Sequence, residues 1–296
     1  MGDALLAPRT LGALANEMSR VLAPAFGGEA ESEARELLAA LHDMPRHWPL
    51  LERSAVMSVD AWARALDAAS RRARGAPLQY AAGRAAFRHL TLDVDERVLI
   101  PRPETEQLVE LVLELSRDRA GGTAVDVGTG SGAIALALAS EGRFARVIAT
   151  DVSLDALDVA RGNVRRCADV LRTTVSFRHG SLLGPVPERG LRAVVSNPPY
   201  IAFDEAAALP SAVRNWEPAV ALFSGADGMA VTARLVRDAS VALAGGGLLA
   251  LEVDARRAGV AAELAASSGA YHDVRVVLDL TGRERFVVAR RREEQG

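Results

Sequence analysis

From Thr123 onward, short apolar runs alternate with helical stripes, and that alternation admits few folds. Residues 123–127, 146–150, 174–178, 191–196, 248–253, 271–279 and 285–289 read as strands rich in Val, Leu and Ile. Between them, residues 131–140, 153–167, 228–244 and 255–268 place apolar side chains at helical spacing. This rhythm predicts an α/β fold with a mostly parallel, doubly wound sheet, because parallel neighbours need a crossover helix. Only Leu280-Thr-Gly-Arg-Glu284 separates the final two strands. That stretch is too short for a crossover, so the last strand of a seven-stranded sheet should run antiparallel.

The chain before this region reads differently. Residues 1–74 are helical only, with a stripe at Ala34, Leu37, Leu38 and Leu41 and a second helix opened by Ser58 as N-cap. Gly75-Ala-Pro77 marks a boundary. Leu90, Leu92, Val94, Val98 and Ile100 then alternate as in a β-hairpin, with the turn expected near Asp95-Glu96. A helix is expected from Thr105 to Arg119. The sequence thus divides into a small helical domain (1–74), a linker with a β-hairpin (75–104) and a larger α/β domain (105–296). The charged tail from Arg290 to Gly296 is expected to fray.

Composition removes several function classes. The 296 residues carry a net charge of −3, so no whole-protein basic field attracts nucleic acid. All 35 basic residues are arginine, which excludes Schiff-base and P-loop lysine chemistry. The single cysteine, Cys167, excludes disulfide scaffolds and all-Cys metal sites and fits a reducing, cytoplasmic setting. No apolar run reaches the ~20 residues of a membrane span, and no metal-ligand spacing is present.

Two motifs carry chemistry. Strand residues 123–127 run into Gly128-Thr129-Gly130-Ser131-Gly132 and then a helix. Glycines let the backbone turn sharply and let a ligand approach, and the helix start offers free N–H groups. Asp151, at the end of the next strand, can accept from both hydroxyls of a ribose. Gly128-x-Gly130-x-x-Ala133 also satisfies a dinucleotide fingerprint, so this region alone fits S-adenosyl-L-methionine and a dinucleotide equally. Asp126 can reach a ligand's amino group or cap the turn.

The second motif is Asn197-Pro198-Pro199-Tyr200, which leaves a predicted strand at its carboxyl end. Asn197 is one of four asparagines in the chain. Its side-chain oxygen can accept one N–H of a planar NH₂ group, and the Pro198 carbonyl the other. Two prolines stiffen the backbone and contribute no competing N–H. Tyr200 can lie on the flat face of the acceptor. Two acceptors on an amide's hydrogens favour positive charge growing on its nitrogen, the mirror of an oxyanion hole.

The chain closely resembles the HemK/PrmC family of release factor protein-(glutamine-N5) methyltransferases. The matching residues are Pro77-Leu-Gln-Tyr80, Ile100-Pro-Arg-Pro-Glu-Thr-Glu106, Asp126-Val-Gly-Thr-Gly-Ser-Gly-Ala133, Ala149-Thr-Asp-Val-Ser153, Asn197-Pro-Pro-Tyr-Ile201, Glu217-Pro-Ala-Val-Ala-Leu-Phe223 and Asp279-Leu-Thr-Gly-Arg-Glu-Arg285. The resemblance implies a Rossmann-like class I S-adenosylmethionine methyltransferase domain and an N-terminal helical domain that docks the protein substrate. It implies that Gly128, Thr129, Gly130, Ser131, Gly132, Asp151, Leu182 and Asn197 bind the cofactor, S-adenosyl-L-methionine. It likewise implies that Asn197, Pro198, Pro199 and Tyr200 form the acceptor pocket, with Asn197, Pro198 and Tyr200 catalytic and Arg102 and Glu104 at its mouth. Ser181 stands where the family often has an acid, and Glu252-Val-Asp254 replaces the more usual Glu-x-Gly.

The activity so implied is methyl transfer to the glutamine of a Gly-Gly-Gln loop in class-one peptide chain release factors. The enzyme is expected to be a cytoplasmic monomer with no stable nucleic-acid binding and no membrane association. Alternatives are an adenine-N6 methyltransferase on nucleic acid, which should show a basic channel, and a glutamine methyltransferase on a ribosomal protein. A dinucleotide oxidoreductase and a non-catalytic module that keeps the pocket are further alternatives.

Overall fold

The computed structural model describes residues 9–293, and the chain divides between Ala85 and Ala86 into two compact units. The first is built on helices Leu11–Phe26, Ala30–His42 and Val59–Ala73, which pack on one another. Leu11, Leu14, Met18 and Leu22 recur at helical spacing and are fully buried, as are Ala34, Leu37 and Leu38 of the second helix. Thr10 and Ser58 cap their helices by accepting from Ala13 N–H at 3.3 Å and Ala61 N–H at 3.1 Å, each cap worth about 1 kcal/mol.

At the division, β1 (Arg84–Phe87) and β2 (Leu90–Asp93) form a two-stranded hairpin. Its turn lies at Arg88-His89 rather than near Asp95-Glu96. Leu90, Leu92, Val94, Val98 and Ile100 are all buried, but the ladder ends at Asp93 and the backbone turns, with Val98 N–H donating to Asp95 O at 3.1 Å. Beyond Asp93 the alternation therefore reports burial and not a strand. Arg88 takes a positive φ of 54°. Its backbone N–H donates to Glu106 at 2.9 Å and its guanidinium to Glu141 and Glu110 at 2.7 Å, which holds a conformation that non-glycine residues avoid.

The second unit is a seven-stranded sheet of β3 (Thr123–Val127), β4 (Arg146–Asp151), β5 (Thr174–His179), β6 (Leu191–Ser196), β7 (Leu243–Glu252), β8 (Tyr271–Leu278) and β9 (Glu284–Arg291). The order is β5-β4-β3-β6-β7-β9-β8. β3 to β7 pair parallel, and β9 is antiparallel to both neighbours. Arg290 and Arg291 continue β9, so the chain stays ordered past the point where fraying is expected; residues 294–296 lie outside the described residues.

Alternate side chains cover opposite faces. Ala124, Val147, Ala193, Val195 and Leu248 pack with residues of helices Pro103–Leu115 and Ala133–Glu141. Val125, Ile148, Val194 and Leu249 pack with residues of helices Ala230–Ala242 and Ala258–Ser267. Truncating one such residue to Ala costs roughly 2–5 kcal/mol for a Leu or Ile.

The strand order reverses between β3 and β6, and α/β sheets open a crevice at the carboxyl ends of such a pair. Register sets what meets there. Val127 pairs with both Thr150 and Ser196, and Ser196 with Leu251. The next residues, Gly128, Asp151, Asn197 and Glu252, therefore emerge side by side.

Candidate active site

Two cavities open at these strand ends. The first, of about 490 Å³, is lined by Gly128, Gly130, Asp151, Leu182, Asn197 and Pro199, among others. The second, of about 410 Å³, is lined by Arg102, Asn197, Tyr200, Asp254, Arg256 and Arg285, among others. Both volumes suit a small molecule or a side chain. Asn197, Leu99 and Ala221 line both, so Asn197 stands where the two meet.

The first cavity is built mainly from backbone. Gly128 and Thr129 donate their N–H groups to Thr150 O at 2.9 Å, which ties the turn to β4. Gly128 and Gly130 have φ of +73° and +54°, and a Cβ on either would meet no atom of the chain within 4 Å. Since both line the cavity, a side chain there would occupy ligand space. Asp151 accepts from Gly130 N–H through Oδ2 and from Ser153 N–H through Oδ1, both at 2.9 Å. Each oxygen keeps a further lone pair for a hydroxyl donor. Leu182 adds an apolar wall in a left-handed conformation, φ 52°, and its carbonyl accepts from Thr150 Oγ1 at 3.0 Å.

Asp126 takes the capping role. The N-cap of helix Ala133–Glu141 is Gly132, which has no side chain to offer. Asp126 Oδ2 accepts instead from Ala135 N–H at 3.0 Å and Thr129 Oγ1 at 2.6 Å. Burial pushes its carboxyl up to about 7, against the pull of these two bonds. Its Oδ1 is buried with no hydrogen-bond partner among the described residues, an acceptor suited to a ligand's amino group. Open glycines, a hydroxyl-accepting carboxylate and an apolar wall fit a nucleoside cofactor such as S-adenosyl-L-methionine.

The second cavity is built from side chains on distant segments. Arg102 ends the loop before helix Pro103–Leu115, and its Nη2 donates to both oxygens of Glu217 at 2.7 and 2.6 Å. The Glu217 carboxylate is fully buried. Burial raises its pKa and Arg102 opposes the rise. Arg102 thus lines the cavity and clamps the loop that follows β6. That loop fastens back on itself through Ile201 N–H to Leu222 O at 3.0 Å and Ser224 N–H to Ile201 O at 2.9 Å. Glu205 pins it to Arg256 at 2.6 Å and Arg257 at 3.0 Å. Gly228 permits the closure: a Cβ there would lie 2.3 Å from Tyr200 O. Burial pushes the Tyr200 phenol up to about 12, reinforced by the nearby Glu252 carboxyl, so the ring stays neutral.

Asn197 itself is oriented. Its Nδ2 donates to Thr105 Oγ1 at 3.1 Å, and Thr105 Oγ1 donates to Glu252 Oε2 at 2.7 Å. Of the residues singled out from the sequence, Gly128, Gly130, Asp151, Leu182, Asn197, Pro199, Tyr200 and Arg102 line one cavity or both. Thr129, Ser131, Gly132 and Pro198 are not among the lining side chains, and the first two are buried in the turn. Glu104 lines neither cavity; its neighbour Thr105 is the residue that reaches Asn197. Sequence reasoning missed Thr105 and also Ala230, Val231 and Arg234, which line the first cavity from the start of helix Ala230–Ala242. Among the described residues, no three His, Cys, Asp or Glu side chains gather as a metal site requires.

Known proteins agree with this architecture. Residues 13–83 match the PrmC N-terminal domain and residues 104–212 the methyltransferase small domain. A methyltransferase from Pyrococcus furiosus has the same fold, with a TM-score of 0.52 at 20% identity over 70% of this chain and 91% of that one. The release factor glutamine methyltransferase of Deinococcus radiodurans is 42% identical over 261 residues, covering 88% of this chain and 91% of that protein. That of Moorella thermoacetica is 41% identical over 262 residues, covering 88% and 92%. With relatives matched at that identity over nearly their whole length, this chain belongs to the release factor glutamine methyltransferase family.

Proposed function

We propose that the protein transfers a methyl group from S-adenosyl-L-methionine to the side-chain amide N5 of the glutamine in the Gly-Gly-Gln loop of a peptide chain release factor. The observation that carries this reading is Asn197 standing between a glycine-walled cavity with a ribose-accepting carboxylate and a second cavity floored by a neutral tyrosine. Gly128, Gly130, Asp151 and Leu182 would hold the cofactor, with Thr129, Ser131 and Gly132 shaping the turn behind them. When bound, it supplies an electrophilic methyl carbon on a sulfonium.

The chain's own residues do the rest. An amide nitrogen is a poor nucleophile because its lone pair is shared with the carbonyl. Asn197 Oδ1 and the Pro198 carbonyl accept the two N–H bonds of the glutamine and favour positive charge on that nitrogen as it attacks. Pro198 and Pro199 hold this elbow stiff and add no N–H. Tyr200 supplies a flat wall and no base, since its phenol ionises far above neutrality. After transfer the methylated nitrogen is cationic and strongly acidic, and it gives one of its protons to solvent water, so no strong base is required. Positioning the two reactants contributes several kcal/mol more.

Residues 1–74 dock the release factor, residues 75–104 link, and residues 105–296 catalyse. Exposed Met44, Leu50, Leu51, Val56 and Val59 in the helical region support docking of a protein. The same reading makes the protein a cytoplasmic monomer. No helix among the described residues is long and apolar enough to cross a membrane. The test is incubation with labelled S-adenosyl-L-methionine and candidate release factors, followed by mass spectrometry. Label on the Gly-Gly-Gln glutamine is expected. Label only on nucleic acid or on a ribosomal protein would overturn the reading.

A further inference from the structure

The acceptor grip depends on which way the Asn197 carboxamide faces. A side-chain amide has one accepting end and one donating end of nearly the same shape, and only the oxygen can take a glutamine N–H. If the group turned over, its NH₂ would confront the NH₂ of the substrate. The two prolines fix the backbone but not this rotation, so something else must.

The geometry points to Thr105 and Glu252 as positioning residues that fix the orientation of the Asn197 carboxamide. β6 and β7 run parallel with Ser196 beside Leu251, which brings Asn197 level with Glu252. Thr105, in the first turn of helix Pro103–Leu115, bridges them. The polarity of this bridge is set from its far end. An ionised Glu252 has acceptors only, so the single hydroxyl hydrogen of Thr105 goes to Glu252 Oε2 at 2.7 Å. The hydroxyl then offers only lone pairs to Asn197. Those lone pairs accept from Nδ2 at 3.1 Å and repel Oδ1. Oδ1 is thereby turned away from Thr105 and left for the substrate. Thr105 and Glu252 are both buried, at 5% and 1% exposure, so water does not compete for these bonds.

The bridge has a built-in condition. A protonated Glu252 can donate to Thr105, which frees the hydroxyl hydrogen for Asn197 and makes either amide orientation acceptable. Burial pushes the Glu252 carboxyl up to about 7; the Thr105 bond, Arg285 and Arg102 draw it down, and Glu104 pushes it further up. Tyr200 also faces it but stays neutral. Orientation should therefore loosen as the pH falls through neutrality.

This inference rests on the methyl-acceptor reading for its use in turnover, but its core is measurable without a substrate. In the free protein, the Asn197 side-chain NH₂ resonances, identified by their loss in Asn197→Asp, should shift with pH near 7. That titration should vanish in both Glu252→Gln and Thr105→Val. In turnover with release factor and saturating cofactor, wild-type kcat should fall below pH 7. Thr105→Val should lose about tenfold or more in kcat with S-adenosylhomocysteine affinity within twofold. Thr105→Ser, which restores the hydroxyl, should recover most of the turnover. Resonances that ignore pH near 7, or that titrate unchanged in Glu252→Gln, would overturn the inference even if Thr105→Val does not fold. So would a Thr105→Ser variant as slow as Thr105→Val. A wild-type protein that methylates no release factor yet shows the coupled titration would leave the bridge standing and remove the functional reading instead.

Discussion

The two cavities that meet at Asn197 are made by different means. The first is a product of local backbone: a turn of glycines after β3, tied to β4 by two hydrogen bonds, with Asp151 bonded to backbone N–H groups on either side. The second is assembled from far along the chain. Arg102 reaches Glu217 across 115 residues, Thr105 reaches Asn197 across 92 and Glu252 across 147. A cofactor common to many enzymes can be held by a feature the fold supplies almost automatically. The acceptor proposed here needs a site that only the complete tertiary structure creates, with Thr105, Glu217 and Glu252 buried and hydrogen-bonded beside it.

Substitutions should separate the two halves, most sharply at the residue they share. Asn197→Ala should lower kcat by about 10²–10³-fold, the scale seen when one preorganised electrostatic partner is removed, while S-adenosylhomocysteine affinity changes only a few-fold. Turnover within a few-fold of wild type would break the division of labour. Arg102→Ala leaves the buried Glu217 carboxylate without its partner. It should destabilise the fold by about 3 kcal/mol in a denaturant titration. Adding Glu217→Gln should recover part of that loss, whereas strict additivity would mean that the clamp is not coupled.

A pH test follows from Glu252. Its carboxyl sits at about 7 when folded against 4.5 as a free side chain. Between those values the folded state holds a proton that the unfolded state has released, so this group makes stability fall as pH rises through the window. Glu252→Gln removes the effect. Relative to wild type, the variant should gain on the order of 2 kcal/mol from pH 5 to pH 8, read from paired thermal melts. A constant gap would mean that Glu252 titrates normally. The smallest effect belongs to the backbone-built side. Asp151→Ala should weaken S-adenosylhomocysteine binding by about tenfold, the worth of one charge-assisted hydrogen bond, with little change in kcat at saturation.

The same contrast explains what the sequence could and could not reveal. Strands such as Thr123–Val127 and Leu191–Ser196, the glycine turn and Asp151 are local patterns, and each lies where its pattern places it. The hairpin turn is displaced because Val94, Val98 and Ile100 keep an alternating burial after the ladder has stopped at Asp93. In the motif Ile100 to Glu106 the charged Glu104 attracts notice, but the hydrogen bond to Asn197 is made by the hydroxyl beside it, Thr105. Nothing local marks that hydroxyl. Its partners are fixed only when β6 and β7 align with Ser196 beside Leu251 and bring Asn197 and Glu252 together. The small helical turns Ser211–Trp216, which gives Val213 to the second cavity, and Ala219–Leu222, which gives Ala221 to both, lie on either side of the Arg102–Glu217 clamp and are too short to show periodicity.

The most direct test of the account is a crystal structure of the protein with S-adenosylhomocysteine and a release factor, or a peptide carrying its Gly-Gly-Gln loop. The account predicts the cofactor product against Gly128, Gly130 and Asp151, and the glutamine amide nitrogen within about 3 Å of both Asn197 Oδ1 and the Pro198 carbonyl oxygen. A glutamine whose NH₂ faces away from Asn197, or a cofactor seated in the cavity of Arg102 and Tyr200, would contradict it.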